Sequence, residues 1–183
     1  LNDTDVSTSI DQVQKSLSAF GLSTEDASHV LDVMNAVSQQ TGISVDTLSS
    51  GLIRNASAFQ EMGLSLDQSV ALMGQIEMSG ADVDVVLGGL RKALKDATSE
   101  GKDMNTALSE LEDSILNGTD GMDGLQKAYD LFGSKAPDIY NAIKNGSLSF
   151  QDLADMAVEA DGSVSNTFEN TKDGAEQFEL AMN

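Results

Sequence analysis

One short unit recurs along this chain at a fixed interval, and it limits the possible folds more than any other feature. Gly21-Leu22-Ser23-Thr24-Glu25, Gly42-Ile43-Ser44-Val45-Asp46 and Gly63-Leu64-Ser65-Leu66-Asp67 follow one another at steps of 21 residues. Glycine adopts the left-handed conformation that closes a helix, and the Leu or Ile beside it is a staple residue. The serine hydroxyl accepts an amide hydrogen of the next helix, and a carboxylate in the first turn complements the helix dipole. Gly21, Gly42 and Gly63 are therefore read as helix stops, and Ser23, Ser44 and Ser65 as N-caps. The unit returns without the adjacent glycine as Leu148-Ser149-Phe150-Gln151-Asp152, which makes Ser149 a fourth cap. Only three copies share the interval and their interiors differ, so a common helix length explains it better than a solenoid repeat does.

Between these stops the apolar residues keep helical spacing. Val6, Ile10, Val13, Leu17 and Phe20 share one face, as do Ala27, Val30, Leu31, Met34 and Val37. Leu48, Leu52, Ala56 and Phe59 follow, then Val70, Met73 and Ile76, then Val83, Val86, Leu87, Leu90 and Leu94, then Met104, Ala107, Leu108, Leu111 and Ile115. Asn117 to Gly124 holds three Gly and two Asp and reads as a loop. Leu125, Tyr129 and Phe132 then run to a stop at Gly133, and Ile139, Tyr140 and Ile143 to Gly146, with the single proline, Pro137, in the first turn of that last short helix. Aromatic residues make up 4% of the chain and Trp is absent, so burial rests on aliphatic stripes. The expected fold is all-α, a compact array of about eight to nine short helices whose sequence neighbours pack together, with the glycines serving as punctuation between them. Residues 1–160 form that domain. Residues 161–183 form a C-terminal extension, in which Val164, Phe168, Ala175, Phe178 and Met182 lie sparsely along an amphipathic helix that needs a partner.

The residue types exclude several chemistries. With no cysteine, thiolate zinc sites, disulfides and Cys nucleophiles are absent. The formal charge of −20 opposes affinity for phosphate backbones and anionic membranes and favours cationic partners. Apolar runs such as Val85-Val86-Leu87 fall far short of the roughly 20 residues a membrane span requires. The chain opens on Leu1 with no basic region before an apolar one, and reads as an internal piece of a longer protein. His29, the single histidine, lacks the partners of a metal site or a nucleophile relay and reads as a boundary side chain. The carboxylates are numerous enough to supply a hydrolase pair, but most fall in first turns and on polar faces. Asn117, Asp120 and Asp123 miss the spacing of a calcium loop. Asn55, Asn117 and Asn145 head Asn-x-Ser/Thr triplets that an Asn- and Ser-rich chain yields by chance, and the methionines sit at core positions. No catalytic residue, cofactor or metal is expected, and the protein is not expected to be an enzyme.

Phe20-Gly21-Leu22-Ser23, Met62-Gly63-Leu64-Ser65, Gly80, Gly89-Leu90-Arg91 and Leu131-Phe132-Gly133 occur in that order. This succession of Gly-Leu-Ser caps, a glycine-containing helix ending in Leu-Arg, and an aromatic-Gly stop resembles the conserved core of phage tail tape measure proteins. The likeness runs from about Phe20 to Ile143 and departs at Asp82-Val83-Asp84-Val85, where small residues would be expected. The resemblance implies a structural tail-assembly protein of a phage or prophage, acting in tail tube length determination and DNA ejection. It implies a place in the virion tail after assembly in the host bacterial cytoplasm. The implied partners are other copies of itself and tail tube, tail tip or tail chaperone proteins, with no specific nucleic acid binding by this segment. The competing reading is an acidic helical protein-binding module of a bacterial or phage surface protein, and a cell-wall hydrolase domain is a third.

Overall fold

The computed structural model describes residues 3–118 and 123–153, with side chains from Asp11 onward. The described residues are all-α. The helices are α1 (Asp3–Phe20), α2 (Ala27–Thr41), α3 (Val45–Glu61), α4 (Leu66–Ser79), α5 (Val83–Ser99), α6 (Met104–Asn117), α7 (Gly124–Phe132) and α8 (Ala136–Lys144). Short 3-10 turns at Thr24–Asp26 and Gly133–Lys135 lead into α2 and α8. A further helical turn begins at Phe150 and is described to Leu153. The expected boundary at residue 160 and the helix at 163–183 lie outside the described residues, as does Asp120.

The helix ends follow one geometry. Gly21 (φ 68) donates to Ser18 O while Leu22 N donates to Leu17 O, so two carbonyls left over at the end of α1 are satisfied by the stop itself. The same pair of bonds closes α3 at Gly63 and Leu64, α4 at Gly80 and Ala81, and α5 at Gly101 and Lys102. The recurring unit therefore extends further than its Gly-apolar-Ser form. At Gly80-Ala81-Asp82 and Gly101-Lys102-Asp103 an aspartate replaces the serine, and Asp82 and Asp103 accept from Val85 N and Thr106 N. The Asp82-Val83-Asp84-Val85 stretch thereby finds its physical reason: Asp82 is the cap, Asp84 lies in the acidic first turn, and Val83 and Val85 pack partly buried against the core.

Two expectations need correction. Sequence neighbours touch, but α1 packs most extensively on α3, and α2 on α4. The α1–α3 seam is made by the stacked rings of Phe20 and Phe59, 6.4 Å apart, and by Ser16 and Ser49, whose buried hydroxyls meet at 3.2 Å. Nor do all glycines punctuate. Gly51, Gly74 and Gly89 lie inside helices, where an added Cβ would run into Met73, Val37 and Phe132 respectively. They let α4 approach α3 and α2, and α5 approach α7, more closely than side chains would allow. At Gly74 and Gly89 a Cβ would lie 2.4 Å from Val37 and 2.3 Å from the Phe132 ring, a clash that outweighs the roughly 1 kcal/mol that glycine costs a helix interior. Gly89-Leu90-Arg91 consequently does not end its helix, and α5 continues to Ser99.

Two groups result, α1–α4 and α5–α8, joined directly above all by α5 against α4 and α3. Their apolar faces merge into one core that runs from Val13 through Leu52, Ile76, Leu90, Leu108 and Ile139 to Leu153.

Candidate functional site

Among the described residues, the most elaborate polar arrangement lies where the turn after α8 meets α4 and α6. Its local cause is an N-terminus in need of acceptors. A helix starting at Phe150 exposes unpaired amides in its first turn, and Ser149 Oγ accepts one, from Asp152 N at 3.1 Å. The rest of the cap comes from elsewhere in the chain. Glu112 of α6 accepts the Ser149 hydroxyl at 3.1 Å and the Gln151 amide at 2.7 Å, placing its carboxylate at the positive end of the turn. Gln75 of α4 accepts from Ser149 N at 3.0 Å. Gln68, also on α4 and 1% exposed, accepts from Ser65 N and donates to Leu153 O at 2.7 Å. Leu148, Phe150 and Leu153 are fully buried beneath this set.

The remaining caps sit apart from one another along the array. Ser23 accepts from Glu25 N and closes a box with Asp26 ahead of the 3-10 turn that leads into α2. Ser44 accepts from Thr47 N and Ser65 from Gln68 N. Gly42 (φ 75) ends α2 through a single bond to Ser38 O. Gly133 ends α7 as its C-cap, its N–H donating to Tyr129 O, at φ 55 and ψ −134 rather than in the left-handed helical region. Asp123, at the far side of the 119–122 stretch, caps α7 by accepting from Leu125 N.

His29 stands at the boundary between α2 and α4, with Nε2 2.8 Å from Asp67 Oδ1 and about a third of the side chain exposed. No group of three or more His, Asp or Glu that could hold a metal ion occurs among the described residues. Among them, too, no helix is long and apolar enough to cross a membrane. A cleft of about 360 Å³ opens between α5, α6 and α7, lined by Lys102 and Lys127 together with Asp96, Glu100, Glu110 and Asp113. Bonds to Glu110 and then Glu100 raise the Lys102 ammonium above its ordinary value, and Thr106 holds the Asp103 carboxyl below its own. The Lys102 ion pairs are open to water, so they tune the surface and add little to stability.

Gln68 could have been found in the sequence, since Ser65-x-x-Gln68 is a capping box. Gln75 and Glu112 carried no such signal. Each looks like an ordinary polar-face residue until the fold brings a distant helix start beside it.

Comparison with known proteins adds the context that geometry lacks. The family model described as phage-related minor tail protein matches residues 1–182. A tape measure protein of Pneumococcus phage Dp-1 is 29% identical over 118 residues, a stretch that covers 64% of this chain and 10% of that protein. The matched segment thus spans about a tenth of that relative's length. No solved structure matches.

Proposed function

From the premise that this chain belongs to the phage-related minor tail protein family, we propose that it is a compact segment of a tape measure protein, serving tail tube length determination and DNA ejection without being the ruler. The observation that carries this reading is the interruption of the helices. Fully helical, 183 residues would reach about 275 Å at 1.5 Å per residue. The longest described helix instead has 18 residues, and positive-φ glycines fold the array back on itself. A compact domain of this size has a radius of gyration near 16 Å. Measuring belongs to extended helices elsewhere in the longer protein, and this domain acts as an assembly contact or as a part that unfolds for passage. Its partners are further copies of itself and tail tube, tail tip or tail chaperone proteins, met after synthesis in the host cytoplasm. The strong negative charge fits protein partners better than nucleic acid. No catalytic role is assigned.

Virions offer the test. Antibody raised against residues 1–183 should detect the segment in purified mature tails and lose it from tails that have ejected their DNA in vitro. Detection in assembly intermediates alone, with none in mature tails, would contradict the ejection role.

A further inference from the structure

The two helix groups touch directly through α5, which rests on α3 and α4. The turn after α8 supplies a second link of a different kind. Leu148, Phe150 and Leu153 are buried in the common core, while Gln68 and Gln75 bind the turn to the first group and Glu112 binds it to the second. Each of these bonds joins a helix side chain to the backbone or hydroxyl of the turn. None belongs to the hydrogen-bond ladder of α4 or α6, so all of them can break without unwinding either helix.

The tether on the other side is short and turn-like. Gly146 (φ 76) lies between Asn145, whose Oδ1 accepts from Ser147 N, and Leu148, whose amide donates to Ala142 O. The chain continues beyond Leu153. A pull from that side therefore meets this turn before any other described element. Each group contributes fully buried apolar residues to the core, Met34, Leu52 and Val70 from one, Leu108, Ala128 and Ile139 from the other.

We propose that residues 147–153 are a detachable strap. Seated, it makes the two helix groups one cooperative unit; lifted, it leaves each group folded and able to part from the other about α5. The strap converts tension on the following chain into separation of the groups before either one unfolds.

Hydrogen exchange on the full chain in rising urea tests this, in the wild type and in a Gln75→Ala, Glu112→Ala double variant. In the wild type the amides of Ser149, Gln151 and Asp152 should lose protection at or before the first of the two groups to open, reported by Leu52 and Leu108. In the variant those strap amides should exchange about tenfold to a hundredfold faster, the range expected for losing charge-assisted and neutral hydrogen bonds. The Leu52 and Leu108 amides should stay protected there, with urea midpoints drawn apart. Wild-type strap amides that remain protected after either group has exchanged would overturn the proposal. A folded variant in which all three sets accelerate together would overturn it as well. If the variant does not fold, the wild-type order decides.

Discussion

Glu112 Oε2 lies 2.7 Å from the amide nitrogen of Gln151, 39 residues further along the chain. A carboxylate on one helix thus caps the first turn of another, and it holds the Ser149 hydroxyl as well. Such a contact combines charge assistance with the helix dipole.

Removing it should be costly. Glu112→Ala is expected to lower stability by about 2 kcal/mol, because two partly buried donors lose their charged acceptor. Glu112→Gln keeps an acceptor oxygen and should cost roughly half as much. Urea denaturation of the two variants checks the order, and equal losses would count against the charge-assisted cap.

The adjacent glycines of α5 make a sharper comparison. A Cβ on Gly88 would meet nothing within 4 Å, whereas one on Gly89 would press into the Phe132 ring and lie 3.1 Å from Leu131 O. Gly88→Ala should therefore stabilise by about 0.5 to 1 kcal/mol through helix propensity. Gly89→Ala should destabilise by about 1 to 3 kcal/mol through overpacking. Thermal melts should shift in opposite directions, and shifts of the same sign would contradict the close approach of α5 and α7.

The caps should behave as a set, with serine and aspartate interchangeable. Ser44→Ala and Asp82→Ala should each cost about 1 kcal/mol, while Ser44→Asp should be close to neutral. Ser65→Ala should cost more than Ser44→Ala, since Ser65 belongs to a box whose Gln68 also holds Leu153. Chemical denaturation of this series would reveal any member that costs nothing, and such a member does not cap its helix.

Asp103 also sets a pH dependence. Its folded carboxyl sits below the ordinary value of 3.8, chiefly through the Thr106 hydroxyl. The sign follows from linkage: a lowered folded value gives a contribution present above 3.8 that fades as pH falls through the depressed folded value. Asp103→Asn should therefore flatten the loss of stability as pH falls from 3.8 toward the depressed folded value, and an unchanged acid slope would show that the Thr106 bond does not distinguish the charged form.

Much of this architecture is readable in the chain itself because helix boundaries are local events. Gly21, Gly42 and Gly63 with Ser23, Ser44 and Ser65 carry their chemistry within five residues, so spacing and residue type suffice. Asp82 and Asp103 do the same work but escape a pattern written as Gly-apolar-Ser, since aspartate stands in place of the serine in both and Lys102 also breaks the middle position. What cannot be read in advance is long-range. Gln75 and Glu112 acquire their roles from segments 74 and 37–39 residues away. Gly51, Gly74 and Gly89 look like interruptions until the helices they admit are in place. The order of packing, α1 on α3 and α2 on α4, depends on which stripes match rather than on the length of the connections.

The central claim, that this segment folds into a compact domain and does not measure, is tested most directly by tail length. In the phage that encodes the chain, in-frame removal of α2 and α3 together (residues 27–61) should be compared with removal of an equal length of extended helix elsewhere in the same protein, with tails measured by electron microscopy. The account predicts that the second deletion shortens tails by about 1.5 Å per residue, whereas the first leaves the length of any completed tail unchanged and reduces the number of tails assembled or able to eject. Tails shortened by about 50 Å after removal of residues 27–61, in line with the same rise per residue, would contradict it.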